Sequence, residues 1–209
     1  MGTRGLRIGL LAEDQTDCDA VAVLMRRIAD SVTSAAIGIH KHSTEGCGAL
    51  RKKAPGLLRQ MARDGCNAAV IVHDLDLDPR NGELNSEAEL RARLTAIAAP
   101  PGLERFICIP IEELEAWFWA DPELIAEIGR GSGKAHASPH RIKRPKELLQ
   151  RLSAAANGKP RYTTNHNAEL ARRLNLERCA ERCPSFRDLR EFVLEVVRRS
   201  AGDDRAAGA

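Results

Sequence analysis

Carboxylates recur where the apolar runs of this chain end. Glu13 follows Leu6 to Ala12 (LRIGLLA), Asp74, Asp76 and Asp78 follow Ala68 to Val72 (AAVIV), and Glu112, Glu113 and Glu115 follow Phe106 to Ile111. Short apolar runs bounded by turn residues read as buried strands. Alternate residues of an extended segment face the same way, so Asp74 and Asp76 point together while Leu75 and Leu77 turn to the core. Several ionised carboxylates held together are costly unless a cation neutralises them, and hard oxygen ligands select Mg²⁺ or Mn²⁺. Asp78-Pro79 with Asn81-Gly82 is ordinary turn chemistry and stays outside that set. A calcium-binding EF-hand loop starting at Asp74 would need Gly and Glu where Pro79 and Asn85 stand, so that alternative fails. A phosphatase built on a phosphorylated Asp74 would lack its Thr or Ser companion and leave Glu13 without a role. Of the third group, Glu112 and Glu115 share a face if the segment is helical, whereas Glu113 and Glu115 share one only in extended backbone. Acid in a first helical turn also complements the helix dipole, a structural role that accounts for one of these glutamates but hardly for all of them. Trp117 and Trp119 read as core anchors.

The elements that must position these acids alternate in type. Leu6 to Ala12, Ala36 to His40, Ala68 to Val72 and Phe106 to Ile111 read as strands. Between them Ala20 to Ile28, Leu50 to Ala62 and Ser86 to Ala98 carry helical spacing, the first capped by Thr16 or Asp17 and the third by Ser86. That alternation predicts right-handed parallel βαβ units in a doubly wound sheet, with ligands bound at the carboxyl ends of the strands. After Ile111 the pattern becomes helical: Glu112 to Trp119, Pro122 to Ile128, Lys146 to Ala156, Asn167 to Leu174 and Ser185 to Arg199. The division expected is an α/β core over residues 1–121 and a basic helical extension over 122–209 packed on it. Gly129 to His140 reads as a loop, and its Gly131-Ser132-Gly133-Lys134 lacks both the spacing and the preceding strand of a nucleotide-binding loop. Residues 203–209 read as a frayed tail.

With 209 residues, 43% of them apolar and none in a run of membrane-spanning length, the chain reads as one soluble α/β unit with an appendage. Met1 to Arg7 shows no secretory pattern, so the cytoplasm is the expected compartment. The six cysteines are scattered without a CxxC pair, which argues against a disulfide framework or zinc; Cys179 and Cys183 read as buried apolar residues of a helix. The net charge of +3 conceals −6 over residues 1–129 and +9 over 130–209. Between Arg130 and Arg161 nine basic residues face only Glu147, which suits a polyanion such as DNA or RNA as well as it suits a solvated surface.

Glu13-Asp14-x-Thr16-Asp17, Asp74-Leu75-Asp76 and Glu113-x-Glu115-Ala116-Trp117 with Ala120-Asp121, in that order, resemble the TOPRIM-like superfamily. The closer likeness is to TOPRIM-like proteins encoded beside AAA-type ATPases in bacterial defence loci. Pro145-Lys146 and Cys183-Pro184-Ser185-Phe186 are similar to further motifs of that group, and the resemblance covers most of the chain. It departs at Asp14, where the family usually has Gly. The resemblance implies a TOPRIM-type, Rossmann-like and mostly parallel sheet with a C-terminal helical addition, and a Mg²⁺- or Mn²⁺-dependent nuclease working in antiphage defence. Asp74 and Asp76 are then metal ligands, Glu13 a ligand or general base, and Glu113 and Glu115 second-metal ligands. Lys146 would neutralise the scissile phosphate, or would be an ordinary first-turn lysine after Pro145. Lys134, Arg141, Lys143, Arg144 and Lys146 are the expected nucleic-acid contacts. The alternative is a non-catalytic module that docks on the partner ATPase.

Overall fold

Five consecutive buried residues, Ala68 to Val72, form the middle of the sheet because an apolar run without a polar face is stable only where helices cover both sides. The computed structural model describes residues 5–207; of the lead-in and the tail discussed above, 1–4 and 208–209 lie outside them. Strands β1 (Arg7–Ala12), β2 (Gly38–Ser43), β3 (Ala68–Val72) and β4 (Glu104–Cys108) pair in the order β2-β1-β3-β4, all parallel. Helices α1 (Gln15–Asp30), α2 (Cys47–Arg63) and α3 (Glu87–Thr95) make the crossovers of this Rossmann-like α/β fold.

The second half is helical, as its pattern implies: a 3₁₀ turn (Leu114–Ala120), α4 (Pro122–Ile128), α5 (Pro145–Leu152), α6 (Asn167–Arg173), α7 (Leu176–Arg182) and α8 (Pro184–Ala207). Short 3₁₀ turns also lie at Pro139–Arg141 and Thr164–His166. α8 runs on to Ala207, into the stretch that reads as a frayed tail. Two apolar clusters sandwich the sheet. On one face Leu58 and Met61 of α2 and Leu90 and Leu94 of α3 meet Leu11 and Ile71. On the other, Met25 of α1 packs with Ile8, Val70, Trp117, Phe118, Phe186 and Val193, so the helices after residue 121 share one cluster with the sheet. Phe186 is fully buried, edge-on to Trp117 at a centroid distance of 5.2 Å, and Phe106 stacks on Phe192 at 4.9 Å. Truncating such an aromatic to Ala typically costs about 3–5 kcal/mol.

The helix read from Glu112 to Trp119 starts two residues later and is 3₁₀, over Leu114–Ala120. Glu112 adopts a left-handed backbone (φ 63°) and Glu113 an extended one, so regular turns begin only at Leu114. The cause lies upstream: the Leu75 amide donates to the Pro110 carbonyl and Leu75 bridges to Ile111, which keeps the chain extended past β4. The chain must then kink at Glu112, and a non-glycine residue in that region carries local strain. Among the described residues Cys18, Cys66, Cys108, Cys179 and Cys183 are buried free thiols, and no helix is long and apolar enough to cross a membrane.

Candidate metal centre

In the order β2-β1-β3-β4 the chain leaves β1 toward one neighbour and returns to the other side, which opens a crevice between the carboxyl ends of β1 and β3. Glu13 is the first residue after β1, and His73 and then Asp74 follow β3. Oε1 of Glu13 accepts from the Asp74 amide at 3.2 Å and lies 2.7 Å from Nδ1 of His73. That nitrogen is also 2.8 Å from the Asp74 carbonyl oxygen. Both neighbours of Nδ1 are acceptors, so this nitrogen carries a proton. Burial pulls the His73 pKa down, but the hydrogen bond and charge of Glu13 outweigh it and the net direction is up.

Asp74 is the anomaly of the site. Its Oδ1 is sealed from solvent and, among the described residues, has no hydrogen-bond partner. Burial first, then the charges of Asp17, Glu115, Glu13 and Glu113, push its pKa well above the carboxylate range. Asp76 is exposed at the mouth, raised by burial of its carboxyl and then by Glu13. Leu75 between them is 3% exposed, so the alternation expected from the sequence holds there, while Leu77 is half-buried.

Asp14, not Thr16 or Asp17, caps α1. Its carboxylate accepts the Asp17 amide at 2.9 Å and the Thr16 hydroxyl at 2.8 Å. At φ −133° and ψ 173° its backbone is extended, a conformation open to any residue, so replacing the family's Gly introduces no strain. The cap leaves the Asp17 side chain free to join the acids. Burial, then Asp14, Glu115 and Glu13, push the Asp17 pKa up to about 8. An acid in the first helical turn has a ready structural explanation, which is why its role does not show in the sequence.

The third acidic group arrives with partners of its own. Glu113 is clasped by Lys146, whose backbone amide reaches Oε2 at 3.1 Å and whose ammonium reaches Oε1 at 2.5 Å. The Lys146 pKa is lowered by burial but raised more by Glu113, for a net rise. Buried Glu112 accepts the Arg144 amide at 2.8 Å; Arg144 is itself left-handed at φ 53°. Glu115, 3% exposed, has Oε1 3.1 Å from the Asn167 amide nitrogen and 3.0 Å from the Tyr162 hydroxyl. That hydroxyl stands 2.6 Å from Oδ1 of Asn167, so its single proton faces two acceptors. A protonated Glu115 resolves the conflict, and burial followed by Glu113 does raise its pKa against the opposing pull of Asn167.

The rest of the tryptophan motif is scaffold. Nε1 of Trp117 donates to Ser185 at 3.1 Å and Nε1 of Trp119 to the Pro145 carbonyl at 3.2 Å, consistent with core anchoring. Asp121 caps α4 through Oδ1 and receives the Asn175 amide on Oδ2 at 2.8 Å. Of the expected nucleic-acid contacts, Lys146 alone among the described residues sets its side chain on one of these acids. Lys134, Arg141, Lys143 and Arg144 are exposed, and among the described residues their side chains make no hydrogen bond or ion pair. Sequence reading missed His73, Asp17, Tyr162 and Asn167.

Among the described residues no group of three or more His, Cys, Asp or Glu side chains is arranged so that it could hold a metal ion. Glu13, Glu113 and Glu115 are each turned by a local partner, which accounts for this. Mg²⁺ does not require such a group, because it keeps several waters and takes one or two carboxylates together with substrate phosphates. Asp74, with a bare buried oxygen amid other carboxyl groups, fits a divalent cation by the chemistry of its donors.

The chain belongs to the family described as domain of unknown function DUF4276, whose model matches residues 12–194 and so spans every acid described above together with the helical half. No curated protein and no solved structure matches it.

Proposed function

We propose that this protein is a cytoplasmic Mg²⁺- or Mn²⁺-dependent nuclease that hydrolyses phosphodiester bonds at the β1/β3 crevice. The observation that carries the reading is the unpartnered, buried Oδ1 of Asp74 at the switch point of the sheet, surrounded by Asp17, Glu13, Glu113 and Glu115. Buried polar groups are nearly always satisfied, and an oxygen that is not calls for an ion or water. Five buried free thiols among the described residues suit a reducing compartment.

Asp74 and Asp76 would hold the cation, which supplies charge neutralisation at the phosphate and a more acidic water. Glu13, held by His73 and the Asp74 amide, would orient the attacking water and take its proton. Lys146 carries positive charge beside Glu113, where it can face a phosphate oxygen. Glu115 is the buried acid that Tyr162 and Asn167 hold in place from the helical half. An ATPase partner and a role in antiphage defence belong to this proposal through the resemblance noted above.

The test is cleavage of labelled DNA and RNA with Mg²⁺ or Mn²⁺ and with EDTA. Wild type is expected to cut only with metal. Glu13→Gln is expected to lose cutting by about 100-fold or more, the upper range for a general base, while binding of nucleic acid changes little. Cleavage by Glu13→Gln at the wild-type rate would place the chemistry elsewhere.

A further inference from the structure

Asp74 and Asp76 share their crevice with positive charge. Together with His73, Asn85 and Leu90 they line a cavity of about 170 Å³ whose remaining wall is Arg51 of α2 and Arg93 of α3. Other guanidiniums in this region are committed. Arg80 is forked onto Asp78, Arg91 pairs with Glu87 and reaches the Ile107 carbonyl, and Arg105 is held by the carbonyls of Thr95 and Ile97. Arg51 and Arg93 differ: among the described residues neither pairs with a carboxylate, and Arg93 donates only Nε, to the Glu89 carbonyl at 3.3 Å.

Opposite charges thus face one small space without pairing across it. A guanidinium offers several N–H donors in a planar fork and accepts nothing, so its natural partner is an oxyanion with two oxygens side by side. The cavity is smaller than the roughly 300–1,000 Å³ of pockets that enclose a drug-sized ligand, so it takes one small group, and a lining that is charged or polar except for Leu90 suits a phosphate better than a base. A backbone phosphodiester satisfies both walls: some of its oxygens meet the arginine forks while the others turn toward the cation that Asp74 and Asp76 would hold. The hairpin that carries α3 is fixed for this, since Asn85 donates both its backbone amide and its side-chain amide to the Asp76 carbonyl, at 3.1 and 2.8 Å.

We propose that Arg51 and Arg93 form the phosphate subsite of this crevice, gripping the backbone of a nucleic-acid strand between α2 and α3. The inference deepens the nuclease reading and rests on it. It also moves the principal grip away from the exposed lysines and arginines after residue 130. Contacts to phosphate alone carry no base information, so the grip is indifferent to sequence.

The experiment is fluorescence anisotropy with labelled single-stranded DNA, duplex DNA and single-stranded RNA in EDTA, where nothing is cut. Arg51→Ala/Arg93→Ala is expected to weaken the best-bound strand by about tenfold or more and to flatten its salt dependence by about one to two units of slope. Arg51→Lys/Arg93→Lys, which keeps charge but loses the fork, is expected to fall between. Lys134→Ala/Arg141→Ala/Lys143→Ala is expected to shift affinity less than the first pair. Wild-type affinity and slope in Arg51→Ala/Arg93→Ala, or no binding of any strand by wild type, would overturn the subsite. Calorimetry with Mn²⁺ alone separates this from the parent reading. The arginine variants are expected to bind Mn²⁺ as wild type does, so unaltered Mn²⁺ binding with unaltered strand binding overturns the subsite only, whereas absence of Mn²⁺ binding in wild type overturns the metal reading. Both arginines are exposed, and unchanged melting temperatures will confirm intact folding.

Discussion

The acids at the ends of β1 and β3 and those after β4 are chemically alike and differently provided for. Glu113 has Lys146 on both oxygens, and Glu115 has Tyr162 and Asn167 on one. Asp74 has a buried oxygen without a hydrogen-bond partner among the described residues. The helical half therefore supplies partners to one group and leaves the other open, which makes Asp74 the place where a cation gains most. A cation at Glu113 would first have to displace an ammonium, whereas at Asp74 it relieves repulsion that is already present.

The largest effect should come from Asp74→Ala. Mn²⁺ affinity is expected to fall by on the order of 100-fold or more, beyond the 10–100-fold that outer partners of a metal ligand typically cost. The melting temperature without metal should hold or rise, since a buried carboxyl without a partner is removed. Unchanged affinity by calorimetry would erase the distinction between the two groups.

The pH dependence of stability probes the same crowding. Asp17 titrates at about 8 in the folded protein against an ordinary 3.8, and Asp74 is raised in the same direction. Between those values the folded protein binds a proton that the unfolded chain has released, so stability present at low pH is lost as pH rises through about 8. In EDTA the melting temperature is expected to decline from about pH 5 to about pH 9, and Asp17→Asn to flatten the decline. A wild-type melting temperature that rises across that window would show that the acids are not crowded.

How much of this arrangement the sequence discloses depends on how far apart the partners lie. Glu13 and Asp74 are legible because each ends a clean apolar run, and parallel pairing of such runs brings their ends together. Tyr162 and Asn167 meet Glu115 across 47 and 52 residues, and nothing in the local pattern of either announces the contact. His73 reads as a lone histidine until β1 places Glu13 beside it. The kink at Glu112 breaks the usual preference of non-glycine residues for negative φ, so periodicity alone starts the helical segment too early.

Tyr162→Phe tests the provided group. It removes a hydroxyl shared by a buried acid and a buried amide, and leaving such groups short of a partner costs about 1–3 kcal/mol. At roughly 2–4 °C per kcal/mol for a chain of this size, the melting temperature is expected to drop by about 2–12 °C. Mn²⁺ affinity is expected to change by less than about tenfold, because Tyr162 stands behind Glu115 and not at Asp74. A larger loss of affinity than Asp74→Ala produces would put the metal on the helical side of the crevice.

The smallest effect should come from Asp14→Gly, which restores the residue usual in the resembled family. Gly is itself an acceptable cap, so exchange at this position typically costs a few tenths of a kcal/mol, against about 1 kcal/mol for Asp14→Ala. The extended backbone at Asp14 asks nothing of glycine's extra freedom. Loss of the Asp14 charge also eases the crowding of Asp17, whose pKa it helps to raise, and that offsets part of the lost cap. Asp14→Gly is therefore expected to melt within about 1–2 °C of wild type and Asp14→Ala about 2–4 °C below it. Mn²⁺ affinity and cleavage should stay near wild type in Asp14→Gly, since Asp14 spends its carboxylate on the Asp17 amide and the Thr16 hydroxyl. A gain in cleavage of tenfold or more with glycine would mean that substrate must approach the backbone more closely than a side chain at position 14 permits.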